Sequence, residues 1–106
     1  MKIKIIQTTT NSIKIAESIS ELLVKNNISP CVQIISNVKS VYQWKDKIEH
    51  SSEILLLIKT IPKNVQKSKD IILKHHNYDT PELILIDGHI LEDDYKAWFM
   101  EHSHGI

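Results

Sequence analysis

Two histidines stand side by side at His75-His76, and imidazole is a donor that suits copper and zinc. Adjacent residues on a helix point about 100° apart, so an intact helix cannot bring both rings to one ion as histidines four apart would. At a fraying helix end or across a subunit boundary the pair becomes a candidate metal site. The competing reading has one histidine favourably placed at the helix C-terminal dipole and the other in solvent. A second set, Lys59, Tyr78 and Glu82, offers a charge and two wall residues for a small ligand, with Lys59 the natural partner of an anion. A third, Tyr42, Trp44 and Glu53, has the aromatic and charged make-up of a subunit interface.

Other reactive groups read as structural. Cys31 follows a proline and opens an apolar strand, where a free cysteine behaves as a small buried hydrophobe. His102 and His104, in a tail expected to be solvated, are left out of the site. No Ser-His-Asp order, Cys-x-x-Cys pair or phosphate-cradling glycine loop occurs, and the only glycines are Gly88 and Gly105. A binding protein is expected rather than an enzyme.

The 106 residues suffice for one domain, spanning 1–106. Thirteen basic residues balance thirteen acidic ones, which argues against nucleic acid or a membrane surface as the main partner. Every basic residue is lysine, so no guanidinium fork is available for bidentate anion recognition. One cysteine forms no internal disulfide, no apolar run reaches the length of a membrane span, and the start Met1-Lys2-Ile3-Lys4 alternates like a strand rather than a signal peptide. A cytoplasmic location is the expectation.

The elements that position these residues follow from periodicity. Lys2 to Thr9 alternates as a first strand, and Thr10-Asn11-Ser12 caps a helix from Ser12 to Asn26 with Ile15, Ile19, Leu22 and Leu23 on one stripe. Cys31 to Trp44, with a break near Ser36-Asn37, and Ile48 to Ile61 read as two long strands of one hairpin turning at Lys45-Asp46-Lys47. Pro62 starts a second helix that ends near His76. Leu83 to Ile86 is the fourth strand, Asp87-Gly88 a turn, and Leu91 to His102 a third helix with Leu91, Tyr95, Trp98 and Phe99 on its sheet-facing side.

The order gives an α+β fold, a ferredoxin-like βαββαβ arrangement with an antiparallel sheet, a long hairpin between the second and third strands and a C-terminal helix. Ile54 to Ile58 and Leu83 to Ile86 are apolar at every position, while the helices suffice for one sheet face. Other subunits are expected to cover the second face, with the hairpin gripping a neighbour at a sheet edge.

Five ordered segments carry a resemblance: Cys31-Val32-Gln33-Ile34; Ser40-Val41-Tyr42-x-Trp44-x-x-Lys47-Ile48-Glu49; Glu53 with Leu57-Ile58-Lys59-Thr60; His75-His76-x-Tyr78-x-x-Pro81-Glu82; and Tyr95-x-x-Trp98. Together they resemble the CutA family of divalent-cation-tolerance proteins over nearly the whole chain. The resemblance implies a homotrimer, a cytoplasmic location, a link to copper and other divalent metal ions, and architectural kinship with PII-type regulators that hold small ligands between subunits. It leaves room for a protein partner as yet unknown. Gln33, Asp46 and Asn77 depart from the asparagine, glycine and proline usual in the family. Gln7 stands where some copper-associated members carry cysteine, and a neutral amide is a poor ligand for copper(I).

Overall fold

The computed structural model describes residues 1–105. The strands are β1 (Lys2–Thr10), β2 (Cys31–Trp44), β3 (Lys47–Thr60) and β4 (Ile84–His89). The helices are α1 (Ile13–Lys25), α2 (Val65–His75) and α3 (Asp93–Glu101), with a 3-10 turn at Pro62–Asn64 leading into α2. The strands form one antiparallel sheet in the order β2-β3-β1-β4, as a ferredoxin-like chain requires.

Cross-strand partners share a face, so the register separates two surfaces. Ile6 lies opposite Ile58, which lies opposite Val32, and Thr8 lies opposite Leu56. This face meets Ala16, Ile19 and Leu23 of α1 and Ile72 of α2, and together they form the core. Ser12 caps α1 by accepting the Ile15 amide, which fixes where the apolar stripe begins. On the other face lie Ile5, Gln7 and Thr9 of β1, Leu55, Leu57 and Lys59 of β3, Ile35 of β2, and Ile84 and Ile86 of β4. No helix packs along the middle of this face, and Ile35, Ile84 and Ile86 are 44%, 46% and 39% exposed.

Beyond the pair Thr10 and Ile54, β2 and β3 run on as a two-stranded hairpin from Val38–Glu53 to Trp44–Lys47, drawing the molecule out to 47 Å. The break expected near Ser36-Asn37 is a bulge between Ile35 and Val38, with Asn37 at φ 62°. The tip residues Lys45 and Asp46 both have positive φ, 50° and 63°, the signature of a two-residue hairpin turn with matching twist.

Three expectations need correction. Asp87-Gly88 is not a turn: β4 continues through both to His89, with Asp87 opposite and ion-paired to Lys4 and Gly88 opposite Ile3. Its missing side chain lets Ile3 and Ile5 close in, since a Cβ there would stand 3.1 Å from Ile3 Cγ1 and 3.2 Å from Ile5 Cδ1. Leu91 does not join the stripe of α3, which begins two residues later with Glu92 accepting the Tyr95 amide as its cap. Leu91 is 92% exposed, while Phe99 is fully buried. The tail beyond α3 is tied down: the buried Asn64 amide donates to Ser103 O and Ile28 O, and the Gly105 amide donates to Asn27 O.

Candidate functional site

His76 closes α2, and its extended backbone turns the chain away from the helix. Its ring is held on both sides. Nδ1 accepts the Tyr78 amide at 3.0 Å, and Nε2 lies 2.9 Å from Thr9 O and 3.4 Å from Thr8 Oγ1. This is a neutral ring with its proton on Nε2, locking the segment after α2 onto the end of β1. Asn77 adds to the lock by accepting from Thr10 Oγ1 at 2.6 Å and donating to Asn11 Oδ1 at 2.8 Å.

The lock places Tyr78 against the hairpin. Its hydroxyl donates to Glu53 Oε2 at 2.8 Å, and its ring lies 5.0 Å from that of His76. Burial first, then the hydrogen bond and charge of Glu53, push the Tyr78 hydroxyl well above its ordinary titration range, so it stays protonated. Further along the loop, Glu82 accepts from the Gln7 amide at 2.9 Å. The hairpin and this loop enclose an open concavity of about 970 Å³ at one end of the uncovered sheet face. Tyr42, Trp44, Glu49, Glu53, Tyr78 and Glu82 line it, with Asp79 at the rim.

Thus two of the expected ligand residues, Tyr78 and Glu82, share a wall with all three expected interface residues, Tyr42, Trp44 and Glu53. Lys59 does not join them. It lies six residues from Glu53 along β3, about 20 Å at the strand rise, in a smaller concavity of about 340 Å³. There its ammonium stands 5.7 Å from the centre of the Tyr95 ring, with Ile3, Ile5 and Gly88 beneath. In the sequence Glu49 and Tyr95 read only as parts of the hairpin motif and of the third helix, and Asp79 is not singled out, so none of the three is expected at a concavity. For Glu49 a signal existed: Glu49, Ser51 and Glu53 recur at period two and so share one face of the hairpin.

A metal held by His75 and His76 does not fit this geometry within one subunit. Both nitrogens of His76 already have partners, and among the described residues no three His, Cys, Asp or Glu side chains converge as an ion would need.

The comparisons with known proteins agree with this architecture. The family model of the CutA1 divalent ion tolerance protein matches residues 4–102. The chain belongs to the CutA1 family. It is 27% identical over 100 residues to the divalent-cation tolerance protein CutA of Thermus thermophilus, covering 94% of this chain and 97% of that one. It is 30% identical over 93 residues to human Protein CutA, covering 88% of this chain but 52% of the human protein, so the chain spans about half the length of that relative. Among solved structures, the CutA1 of Ehrlichia chaffeensis superposes with a TM-score of 0.88 at 35% identity, covering 95% of this chain and 94% of that one. The CutA1 fold therefore holds here with Gln7 on β1 and Asp46 at the hairpin tip.

Proposed function

We propose that the protein serves the response to divalent metal ions, copper foremost, as a cytoplasmic homotrimer that binds rather than catalyses. Membership of a divalent ion tolerance family supports the ion response, and a lone unpaired Cys31 suits a reducing compartment. The observation that carries the assembly is the uncovered sheet face, where Ile35, Ile84 and Ile86 stand exposed beside Leu55 and Leu57. A closed ring of three copies covers such a face identically in each subunit and leaves no long strand edge free.

Sedimentation at micromolar concentration tests the assembly. A species of three times 12.3 kDa is expected, and a folded monomer of 12.3 kDa would overturn it. Copper(II) titration of the assembled protein tests the ion. Binding that weakens in a His75→Ala, His76→Ala double variant would mean that assembly or copper draws His76 out of its backbone bonds. Equal affinity in both proteins would move the ion away from the histidines, and no binding below ~1 mM would remove copper from the account.

Small-ligand sensing is favoured as a second reading by the hairpin concavity, though not in the form of an anion held by Lys59 with Tyr78 and Glu82. The charged residues lining that concavity are all carboxylates, and Lys59 belongs to the other one.

A further inference from the structure

The tail beyond α3 is fastened at a point that is incomplete. Asn64, fully buried at the start of α2, donates its side-chain amide to two backbone carbonyls, Ile28 O and Ser103 O, each at 3.2 Å. Both partners are acceptors, so the side chain cannot be turned over, and Oδ1 is committed to the opposite direction. There it is the only buried side-chain nitrogen or oxygen among the described residues without a hydrogen-bond partner. An orphaned buried acceptor is costly, and one held in place by two good bonds on the same amide calls for a donor.

Two observations single out that donor. Oδ1 faces Gly105, where a Cβ would stand 2.9 Å from Oδ1 and 3.2 Å from Lys67 Nζ. The amide oxygen and the ammonium therefore flank one small gap, kept open because residue 105 has no side chain and adopts a φ of 70°. Lys67 also stands in the first turn of α2, three residues after its N-cap Asn64, where the helix dipole disfavours a cation and no acidic residue offsets it. In a capping box the residue at this position reaches back to the cap. Here the polarity is reversed, with the acceptor on the cap and three donors on the lysine. Oδ1 is out of reach of water, and the positive end of the helix repels a mobile cation, whereas a tethered ammonium is held there by its own chain.

We propose that Lys67 is the latch of a strap formed by the tail: its ammonium swings onto Asn64 Oδ1 across Gly105 and clamps residues 103–105 against the foot of α1. The strap in turn governs α3. Phe99 is the one buried residue of that helix. Beyond this ring, α3 is followed directly by Ser103 O on the Asn64 amide and by the Gly105 amide, which donates to Asn27 O at 2.7 Å. With the latch open α3 loosens, and with it the Tyr95 ring that stands beside the Lys59 ammonium. Asn64 and Lys67 belong to the helix side of the sheet, so the latch is separate from the face that assembly covers and from His75 and His76.

Amide hydrogen exchange of the assembled protein, read residue by residue, tests this. Lys67 is exposed, so its variants leave the core untouched. In the parent the Gly105 amide is expected to be protected. Lys67→Met, which keeps the reach of the stem and removes the donors, should speed its exchange about tenfold, as for loss of a charge-assisted hydrogen bond. The α3 amide of Lys96, bonded to Glu92 O, should accelerate in step, and the core amide of Leu56 should not. Lys67→Arg, which restores donors, should return Gly105 close to the parent rate. The proposal falls if Gly105 exchanges in the parent like an unstructured amide, or if Lys67→Met protects it as the parent does. It falls equally if Lys67→Arg exchanges like Lys67→Met, since packing of the lysine stem rather than its donors would then hold the tail. Acceleration at Gly105 without any at Lys96 would overturn the hold on α3.

Discussion

The two faces of the sheet are built from the same residue types and have opposite fates. On the helix side, Ile6, Leu56 and Ile58 are within a few per cent of complete burial. One residue along each strand, Ile5, Leu55 and Leu57 are half-buried, and Ile84 and Ile86 on β4 stand open. Both faces being apolar, the runs Ile54 to Ile58 and Leu83 to Ile86 show no alternation in sequence, although burial in one subunit alternates along Leu55 to Ile58, while on the edge strand Ile84, Leu85 and Ile86 are all exposed. A strand that is apolar on both sides in a chain with helices for one is thus a statement about assembly as much as about fold.

Paired substitutions break this comparison most sharply. Leu56→Ala, at a fully buried position, should cost about 2–5 kcal/mol of stability by opening a cavity in the core. Ile86→Lys, on the open face, should leave that core intact and shift sedimentation towards the monomer. An unchanged assembly in Ile86→Lys would mean that this face is not the interface. Trp44→Ala removes a large ring that is 58% exposed in the single subunit. If the ring anchors a neighbour, its loss weakens assembly by about 2 kcal/mol, read as a raised dissociation constant, with little change in the far-UV spectrum.

How much of this was legible in the sequence depended on whether the signal was local. The helix α1 was readable to its caps because Ser12 and Asn26 flank a clean apolar stripe. The hairpin was readable from its aromatic and β-branched residues, and Asn37 marked the bulge. Asp87-Gly88 misled because the pair is a common turn signal, whereas here the glycine serves close packing of Ile3 and Ile5 across the sheet. The site was half legible. Tyr78 and Glu82 were grouped with Lys59 because all three flank strands or follow a helix, yet strand direction carries Lys59 to the opposite end of the sheet. The role of His76 depends on Thr9 O, a backbone atom that no sequence pattern reports.

The hairpin tip offers a smaller test of the same contrast, between a two-stranded extension and the sheet behind it. Lys45 and Asp46 both occupy the left-handed region, which costs a residue with a Cβ of order 1 kcal/mol. Asp46→Gly should therefore stabilise the protein, by about 0.5–1 kcal/mol, seen as a higher denaturant midpoint at constant slope. A destabilised variant would mean that the Asp46 side chain holds something at the tip that outweighs the backbone strain.

The smallest effect is expected at the pair between Lys4 and Asp87, which joins β1 to the edge strand β4 where the open and covered faces meet at one margin. The hydrogen bond from Lys4 and then its charge hold the Asp87 carboxyl below its usual value of 3.8. A carboxyl depressed in the folded state adds stability above its unfolded titration point and loses it as the pH falls through the folded one. That places any contribution at neutral pH and its disappearance below about pH 4. The Asp87 side chain is 84% exposed, however, so water and salt screen the attraction. Asp87→Asn should therefore melt with the parent at pH 7, in low salt and in high. A clear loss at pH 7 that vanishes at pH 3 would show that this pair, and not the backbone ladder with Gly88 closed over by Ile3 and Ile5, keeps β4 in register.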